Sequence, residues 1–366
     1  MIREEHLELY DLILTVKAPL FVGSGKSYVK KAYLFLSPEI TRSPGVKVML
    51  LDEGAFFRLL VERNLVDQYE RFMLSAQTDC FRFLTSDCHL TMREISAVSR
   101  YTIDVEDALD RNHSLKEIHA FVRDACGRTY VPGSSVKGAL RTALLTDLVL
   151  QTPEQHSLPD PRRGFPEGQF LHTLSLKKDK SGVPLDDAVN SILRGLYISD
   201  SLPVDDSSMM LAGKIDADIC GETHKINLCR ECIKPGTQLR FKLTLDRSVL
   251  KDRITADSLM ESIQAFDRFY EDAWLRAFQI PARGVDVVSD SYLVLGGGAG
   301  YAAKTLVYPY LDERAGVREV SQILSRAFPR HRHEHDLDAG ISPRMAKYAQ
   351  FRGSLYPYGL CEVSLS

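Results

Sequence analysis

Residues 130–144 read Tyr-Val-Pro-Gly-Ser-Ser-Val-Lys-Gly-Ala-Leu-Arg-Thr-Ala-Leu. Pro132 and Gly133, followed by two serines, are typical of a helix start. Apolar residues then recur at every fourth position and would share one face of a helix: Val136, Leu140, Leu144 and Leu148. The stretch therefore predicts a helix over 135–150 that packs on one side.

The same helix carries two cations, Lys137 and Arg141, four residues apart on a neighbouring face. A helix start offers free N–H groups and a positive dipole end, and Ser134 and Ser135 add hydroxyl groups, so an anion site is one interpretation. Gly138 removes a side chain where a sugar-phosphate backbone could lie close. The other interpretation is a capped surface helix with solvated cations, because such helices are common.

The flanking sequence predicts strands and helices in alternation. Period-two or apolar runs predict strands, and apolar residues three and four apart predict helices. The predicted strands are 7–17, 46–51, 196–199, 239–245 and 360–365. The predicted helices are 255–279, 320–328 and one with Asp52 as its N-cap. Residues 151–168 are a predicted loop. We expect 196–199 to pair with 239–245, and Gly23-Ser24-Gly25 to form a turn. The order β, α, β, β, α, β with large insertions indicates an α+β, ferredoxin-like sheet.

Composition limits the function classes. The chain has 366 residues, of which 44% are hydrophobic and 26% charged, which indicates one or two globular domains. The 46 basic and 49 acidic residues leave a net charge of −3, so nucleic-acid binding would need a local patch. Residues 116–141 form one such patch, with five basic residues against two acidic ones.

The sequence also indicates where the protein works. It contains no apolar run long enough for a transmembrane helix, and its N-terminus lacks the apolar core of a signal peptide. Its seven cysteines are few and odd in number, so we expect reduced thiols. A cytoplasmic protein without membrane contact is the expectation.

Five segments, in order along the chain, resemble the RAMP superfamily of CRISPR-associated RNA-binding proteins. They are Ala-Pro-Leu-Phe-Val-Gly-Ser-Gly at 18–25, Leu-Asp at 51–52, the 130–141 stretch, Arg-Glu-Cys-Ile-Lys-Pro-Gly-Thr at 230–237, and Gly-Gly-Gly-Ala-Gly at 296–300 with Lys304-Thr305. Within the superfamily the combination is most similar to the subunits that cap the backbone filament of type III-A (Csm) effector complexes at the crRNA 3′ end.

The resemblance implies a fold and its division. The fold would be a modified RRM-like, ferredoxin-like RAMP core with large insertions. An N-terminal part, 1–150, would hold an insertion at about 31–125 with a thumb-like element, to which Ser114-x-x-Glu117 adds a possible capping box. A C-terminal part, 151–366, would hold the glycine-rich loop 296–300.

The resemblance also implies a function. It is that of a non-catalytic crRNA-binding subunit of a type III-A RNA-guided interference complex, which contacts the 3′ part of crRNA and aids its maturation in antiviral defence. The implied partners are crRNA, the repeating backbone subunit, the small subunit, crRNA-trimming nucleases and, indirectly, target RNA. No cofactor and no metal are expected.

The predicted RNA-binding residues fall into three groups. Lys137 and Arg141 are expected to contact phosphates, with Lys26 and Lys304 as accessory cations. Gly133, Ser134 and Ser135 are expected to supply backbone and hydroxyl donors. Glycine-rich turns would allow close approach of the RNA backbone: Gly23, Ser24, Gly25, Gly296, Gly297, Gly298 and Gly300.

Other motifs point to other chemistry. Gly23–Ser27 is similar to the end of a P-loop, but Leu20 stands where that pattern needs glycine, and Tyr301 stands where a dinucleotide fingerprint needs its last glycine. Two sets of side chains leave metal binding open: Cys220, His224, Cys229 and Cys232 in an unusual zinc spacing, and the alternating His331, His333 and His335. Reduced cysteines at a sheet end and a solvated basic loop are the simpler interpretations.

Catalysis is the last question. In related backbone subunits the resemblance implies a cleavage-assisting Asp shortly before the helix, but the counterpart position here is near Ile118 and has no Asp. Glu117, His119 and Asp124 offer acid–base groups without a spacing that places them around a phosphate. We therefore expect no enzyme. The alternatives are a RAMP endoribonuclease that processes precursor crRNA through a histidine such as His119, and a target-slicing backbone subunit.

Overall fold

The computed structural model describes residues 6–42, 45–108, 117–152, 167–280, 282–311 and 313–366. Its strands are β1 (Leu7–Val16), β2 (Gly23–Tyr28), β3 (Tyr33–Leu36), β4 (Lys47–Leu51), β5 (Ser99–Asp104), β6 (Glu117–Phe121), β7 (Leu196–Ile198), β8 (Met209–Ala217), β9 (Thr223–Ile233), β10 (Gln238–Asp246), β11 (Tyr292–Val294), β12 (Ala346–Phe351), β13 (Ser354–Pro357) and β14 (Leu360–Leu365). Its α-helices are α1 (Pro38–Thr41), α2 (Glu53–Glu62), α3 (Val66–Leu74), α4 (Cys80–Arg82), α5 (Met92–Ala97), α6 (Gly133–Leu150), α7 (Glu167–Leu171), α8 (Arg247–Leu250), α9 (Ala256–Ala273), α10 (Val307–Tyr310) and α11 (Glu313–Ala327). No helix among these residues is long and apolar enough to cross a membrane.

The first sheet has the antiparallel order β11-β14-β1-β10-β7. Leucine and phenylalanine at alternate positions of β10 are buried, and β10 pairs with β7 as expected. The helices α6 and α9 pack against each other and against β7 and β11. The chain order β1, α6, β7, β10, α9, β14 confirms the α+β fold with a ferredoxin-like core.

The second sheet has the order β2-β6-β9-β8-β5-β4-β3, with β12 beside β8 and β13 beside β12. Glu231 on β9 is fully buried, and its carboxylate accepts hydrogen bonds from the Tyr101 hydroxyl at 2.8 Å and the Phe121 amide at 2.9 Å. Burial raises the pKa of Glu231. The Arg123 guanidinium lies 3.7 Å from the centre of the Tyr101 ring. One buried carboxylate therefore joins β5, β6 and β9.

The expected turn at Gly23-Ser24-Gly25 is wrong. These residues begin strand β2, in which Gly23 pairs with Phe121 and Ser27 with His119, with a bulge between them. The bulge contains Gly25 at φ +81°. An exposed edge strand needs no apolar alternation, so the pattern that identified the other strands was absent here.

The insertion between β2 and β6 has a hydrophobic core of its own. It is formed by β3, β4 and the helices α2 to α5, and includes Leu34, Met49, Phe56, Leu60, Phe72, Phe83, Leu84 and Ile95. Asp52 caps α2 as predicted, since its carboxylate accepts the Ala55 N–H at 2.7 Å. The proposed capping box at Ser114 lies outside the described residues, and the thumb-like element stays a prediction.

The helix α6 begins at Gly133, two residues before the predicted start at 135. Gly133 packs so closely on the end of β7 that a Cβ atom would lie 2.3 Å from the Ile198 carbonyl oxygen and 2.4 Å from that of Ser199. Its N–H donates to the Asp200 carboxylate at 2.9 Å. On the predicted apolar face three residues are buried and Leu148 is partly buried: Val136, Leu140 and Leu144. Trp274, which directly follows α9, is 2% exposed.

Two glycines of α6 allow a stability test. We expect Gly133→Ala to destabilise the fold by about 1–3 kcal/mol, because the added methyl group meets backbone atoms of β7. Gly138→Ala adds a methyl group that meets no described atom within 4 Å beyond the helix's own backbone and neighbouring residues, and we expect it to stabilise the helix by about 0.5–1 kcal/mol. Thermal unfolding of both variants measures the difference, and a loss of stability in Gly138→Ala would contradict the open environment of that position.

Candidate nucleic-acid interface

A groove of about 520 Å³ opens between α6, the start of β2 and the loop after β11. It brings together segments that are more than 100 residues apart in the sequence. Seven predicted residues line it: Gly23, Ser134, Ser135, Arg141, Gly296, Gly297 and Lys304. Val22, Gly138, Ala139, Thr142, Val294, Leu295 and Ala303 complete the lining.

A main-chain contact joins the glycine-rich loop to the start of β2. The Gly297 N–H donates to the Phe21 carbonyl oxygen at 2.6 Å. A Cβ atom on Gly296, which has φ +79°, would lie 2.2 Å from the same oxygen. Only glycine permits this approach, so the glycines at 296 and 297 build the wall of the groove as well as opening it.

The first turn of α6 offers fewer donors than predicted. The Gly133 N–H donates to Asp200, and the Ser135 N–H donates to the Pro132 carbonyl oxygen at 3.0 Å. Gly133 is also buried, so it does not supply a free amide to the groove, contrary to the expectation. Ser134 is exposed, and its hydroxyl group remains available at the groove.

Gly138 is the open floor of the groove. It lies in the first half of an 18-residue helix, where glycine destabilises by about 0.5–1 kcal/mol relative to alanine. Apart from the helix's own backbone and the two neighbouring residues, no described atom lies within 4 Å of the position that its Cβ would take, so packing among the described residues does not require glycine here. Its use at this position keeps space above the helix empty.

Two cations stand at the groove, Arg141 and Lys304. Arg141 forms an ion pair with Glu167, and its side chain is 43% exposed. Lys304 has no acidic partner within the described ranges, and partial burial lowers the pKa of its ammonium group. Among the described residues, two positive charges against one negative charge leave the groove net positive.

Lys137 does not line the groove. Its ammonium group donates to the carbonyl oxygens of Leu193 at 2.8 Å and Leu196 at 2.7 Å, and burial lowers its pKa. It therefore ties α6 to the turn before β7. We therefore correct the prediction that Lys137 contacts a phosphate in the groove. Carbonyl oxygens more than 50 residues away in the sequence accept the hydrogen bonds of its ammonium group.

The remaining predicted residues lie beside the groove. The Ser24 hydroxyl donates to the Ala120 carbonyl oxygen at 3.2 Å and accepts the Lys26 N–H at 3.2 Å. Gly25 and Lys26 are exposed on β2. Gly298 and Gly300 continue the loop away from the groove. The sequence prediction missed two residues at the groove, Thr142 and Glu167. Thr142 could have been found from its position one helical turn after Gly138. Nothing in the sequence indicated that Glu167 pairs with Arg141.

The acid–base candidates do not form one cluster among the described residues. Ile118 is buried. The Glu117 carboxylate and the His119 ring lie 3.7 Å apart at the surface of β6. Asp124 pairs with Arg128 at 2.8 Å and accepts the amides of Cys126 and Arg128, which lower its pKa, so it stabilises a turn. The absence of nuclease activity stays a prediction.

The proposed zinc ligands are spread along an extended strand. His224, Cys229 and Cys232 all lie on β9, and a strand rise of about 3.3 Å per residue separates the first from the last by roughly 26 Å. Cys229 and Cys232 are buried, whereas Cys220 is exposed in the preceding turn. They do not converge on one point, as zinc requires.

The three histidines do not share a ligand position either. His333 lies 2.9 Å from the buried Asp336, which also accepts from Ser342 at 2.7 Å and Arg344 at 3.0 Å. His331 stacks on Phe328. No group of three metal-ligating side chains was found in the part of the chain that the structure describes.

The comparisons with known proteins agree on one family. The sequence model of the RAMP superfamily matches residues 13–300. A relative from Mycobacterium tuberculosis, CRISPR system Cms protein Csm5, is 24% identical over 98% of this chain and 98% of its own length. The Streptococcus thermophilus protein of the same name is 28% identical over 81% of this chain and 80% of its own length.

Solved structures share the fold. A chain in the cryo-EM structure of a Csm-crRNA-target RNA ternary complex of a type III-A CRISPR-Cas system has a TM-score of 0.64 and 16% identity, covering 97% of this chain and 100% of that one. The crystal structure of T. onnurineus Csm5 has a TM-score of 0.55 and 17% identity, covering 96% of this chain and 99% of that one.

The cysteine environments predict thiol reactivity. Cys126 and Cys220 are exposed and the other five cysteines are buried. Burial raises the pKa of Cys80 to about 12 and that of Cys88 to about 11, which suppresses the reactive thiolate. A thiol reagent should therefore modify two cysteines rapidly in the native protein and all seven after denaturation. Protection of Cys220 that a chelator removes would instead indicate zinc.

Proposed function

The chain belongs to the RAMP superfamily, and from this premise we propose that it is a non-catalytic, crRNA-binding subunit of a type III-A RNA-guided complex. In this proposal it caps the backbone filament, holds the 3′ part of crRNA in the groove and aids crRNA maturation in antiviral defence. The names of its relatives and the fold shared with a chain of a Csm-crRNA-target RNA complex support the assignment.

The observation that carries the proposal is Gly138. The helix has glycine, an unfavourable residue, at a position that faces empty space, and two cations and a wall of glycines lie beside it. This arrangement is suited to a ligand whose charged backbone must come close. A sugar-phosphate chain has these properties. Arg141, Lys304 and the Ser134 hydroxyl would contact phosphates, and the small residues would admit the sugars.

The groove is suited to RNA of any sequence. Among the described residues that line it there is no aromatic, amide or acidic side chain, so stacking and base-edge recognition have no obvious partners. Phosphate contacts fix position without reading bases. A subunit that serves many different guides needs this kind of site.

Assembly with other subunits is part of the proposal. The implied partners are the repeating backbone subunit, the small subunit, crRNA-trimming nucleases and, indirectly, target RNA. Large apolar side chains are exposed on the insertion, with Phe57 and Val61 one turn apart on α2 and Leu74 at the end of α3. Exposed apolar side chains one turn apart, such as those of Phe57 and Val61, favour contact with another protein.

We expect Arg141→Ala with Lys304→Ala to weaken binding of labelled single-stranded RNA almost equally for different sequences. The slope of log K against log salt concentration should become shallower by about 1.4, because each lost contact on a single strand contributes about 0.7. Glu167→Gln removes the acid that pairs with Arg141 and should strengthen binding. Titrations at several salt concentrations measure both effects.

A matched control removes two cations elsewhere. Lys242 and Arg247 pair with Asp11 and Glu8 and line no part of the groove, so Lys242→Ala with Arg247→Ala should change binding little. Loss of binding for one RNA sequence alone would contradict phosphate recognition. The RNA should remain intact throughout, and discrete cleavage would favour the processing endoribonuclease instead.

We expect Gly138→Gln to weaken RNA binding about tenfold, equivalent to about 1.4 kcal/mol, because its side chain would occupy the floor of the groove. Thermal unfolding should show no loss of stability, since glutamine is a better helix former than glycine. Leu150→Gln, at an exposed position at the other end of α6, is the control. Unchanged binding by the Gly138 variant would show that the RNA does not lie over α6.

A further inference from the structure

A second group of cations lies on the second sheet, beside the glycine-rich loop. Arg230 on β9 pairs across the sheet with Ala212 on β8, and Lys347 on β12 pairs with Asp216 on β8. The register of β8 with β9 shifts between Gly213 and Ile215, and Lys214 at this shift interacts electrostatically with both Lys347 and Arg230. The ammonium group of Lys214 lies 3.7 Å from the Asp216 carboxylate, so its charge joins the same cluster.

Among the described residues, Asp216 is the carboxylate that contacts two of these cations, Lys347 and Lys214. The Lys347 ammonium lies 2.7 Å from Asp216, which leaves Lys214 with a longer and weaker contact to the same side chain. Burial lowers the pKa of Lys214, and the neighbouring Lys347 and Arg230 lower it further, while Asp216 partly offsets them. The next acid along β9, Glu231, points to the other face and is held by Tyr101 and Phe121. The cluster therefore has a surplus of positive charge.

Arg230 adds charge that no hydrogen bond neutralises at two of its atoms. Its Nε and Nη1 atoms are buried and have no hydrogen-bond partner among the described residues. The guanidinium lies 4.8 Å from the centre of the Tyr358 ring and 5.4 Å from that of Phe21. The positive potential of such a buried cation is strong at the nearby surface, because little solvent screens it.

The glycine-rich loop connects this cluster to the groove. Gly296 and Gly297 line the groove. A Cβ atom on Gly298 would lie 3.0 Å from the Arg230 Nη1 atom, and one on Gly300 would lie 3.9 Å from the Lys347 Cγ atom. Both glycines have positive φ and carry no side chain that could stand between the two places. A single extended RNA strand can follow the loop from the groove to the cluster.

We propose that Lys214, Arg230 and Lys347 form a second phosphate-binding site, on the flank of the glycine-rich loop away from the groove, for the same RNA strand. Lys214 and Lys347, which are partly exposed, contact the phosphates, and Arg230 raises the positive potential behind them. This inference rests on the proposed function, because the ligand is the RNA that the groove holds. It assigns Gly298 and Gly300 a place between two phosphate sites.

The test uses the full chain and labelled single-stranded RNA of mixed sequence, titrated at several salt concentrations. Lys214→Ala with Lys347→Ala should weaken binding on the order of tenfold and make the salt slope shallower by about 1.4, because two phosphate contacts are lost. Asp216→Asn removes the carboxylate with little change of shape and should strengthen binding severalfold. Thermal unfolding of each variant shows whether its fold is kept, so that a gain of affinity in Asp216→Asn is attributed to the lost charge.

The two-cation control Lys242→Ala with Arg247→Ala applies here too, since both residues have acidic partners like those of Lys347 and Lys214. If the Lys214/Lys347 and Asp216 variants bind RNA like this control while the Arg141/Lys304 variant binds weakly, the second site is refuted and the proposed function stands. If the Arg141/Lys304 variant also binds like the wild type, the proposed function fails with it.

Discussion

The structure depends on one close approach of main chain to main chain. The Gly297 N–H donates to the Phe21 carbonyl oxygen at 2.6 Å, at a point where a side chain on Gly296 has no room. This contact holds the glycine-rich loop against the start of β2, and Gly133 holds α6 against the end of β7 in the same manner. Because backbone atoms set these positions, the side chains that line the groove are free to be small, hydroxylic or cationic.

Local patterns identified the six elements of the ferredoxin-like core, because the causes of those patterns are local. The alternation in β10 follows from one buried and one exposed face, and the Asp52 cap acts on an amide three residues away. The sequence also indicated the glycines of the loop and of α6 as positions where the RNA backbone comes close, and this stays a prediction. The structure shows, however, that Gly133 and Gly296 approach other parts of the chain, whereas Gly138 faces open space.

Long-range partners explain what local patterns missed. Lys137 and Arg141 are equivalent in the sequence, yet the first is taken up by the carbonyl oxygens of Leu193 and Leu196 and the second reaches the groove. The strand β2 is defined by its pairing with β6, almost 100 residues later, and not by its own composition. The zinc spacing looked compact only because sequence distance ignores that β9 is extended.

The insertion has consequences for how such a protein can change over time. Its helices α2 to α5 enclose an apolar core separate from the one beneath α6 and α9. A substitution, deletion or extension there alters packing that the groove does not share. The exposed surface of this module can thus vary without disturbing the main-chain contacts elsewhere, which stay under strict steric constraint. One polypeptide can in this way combine a sterically constrained core with an insertion that is free to vary.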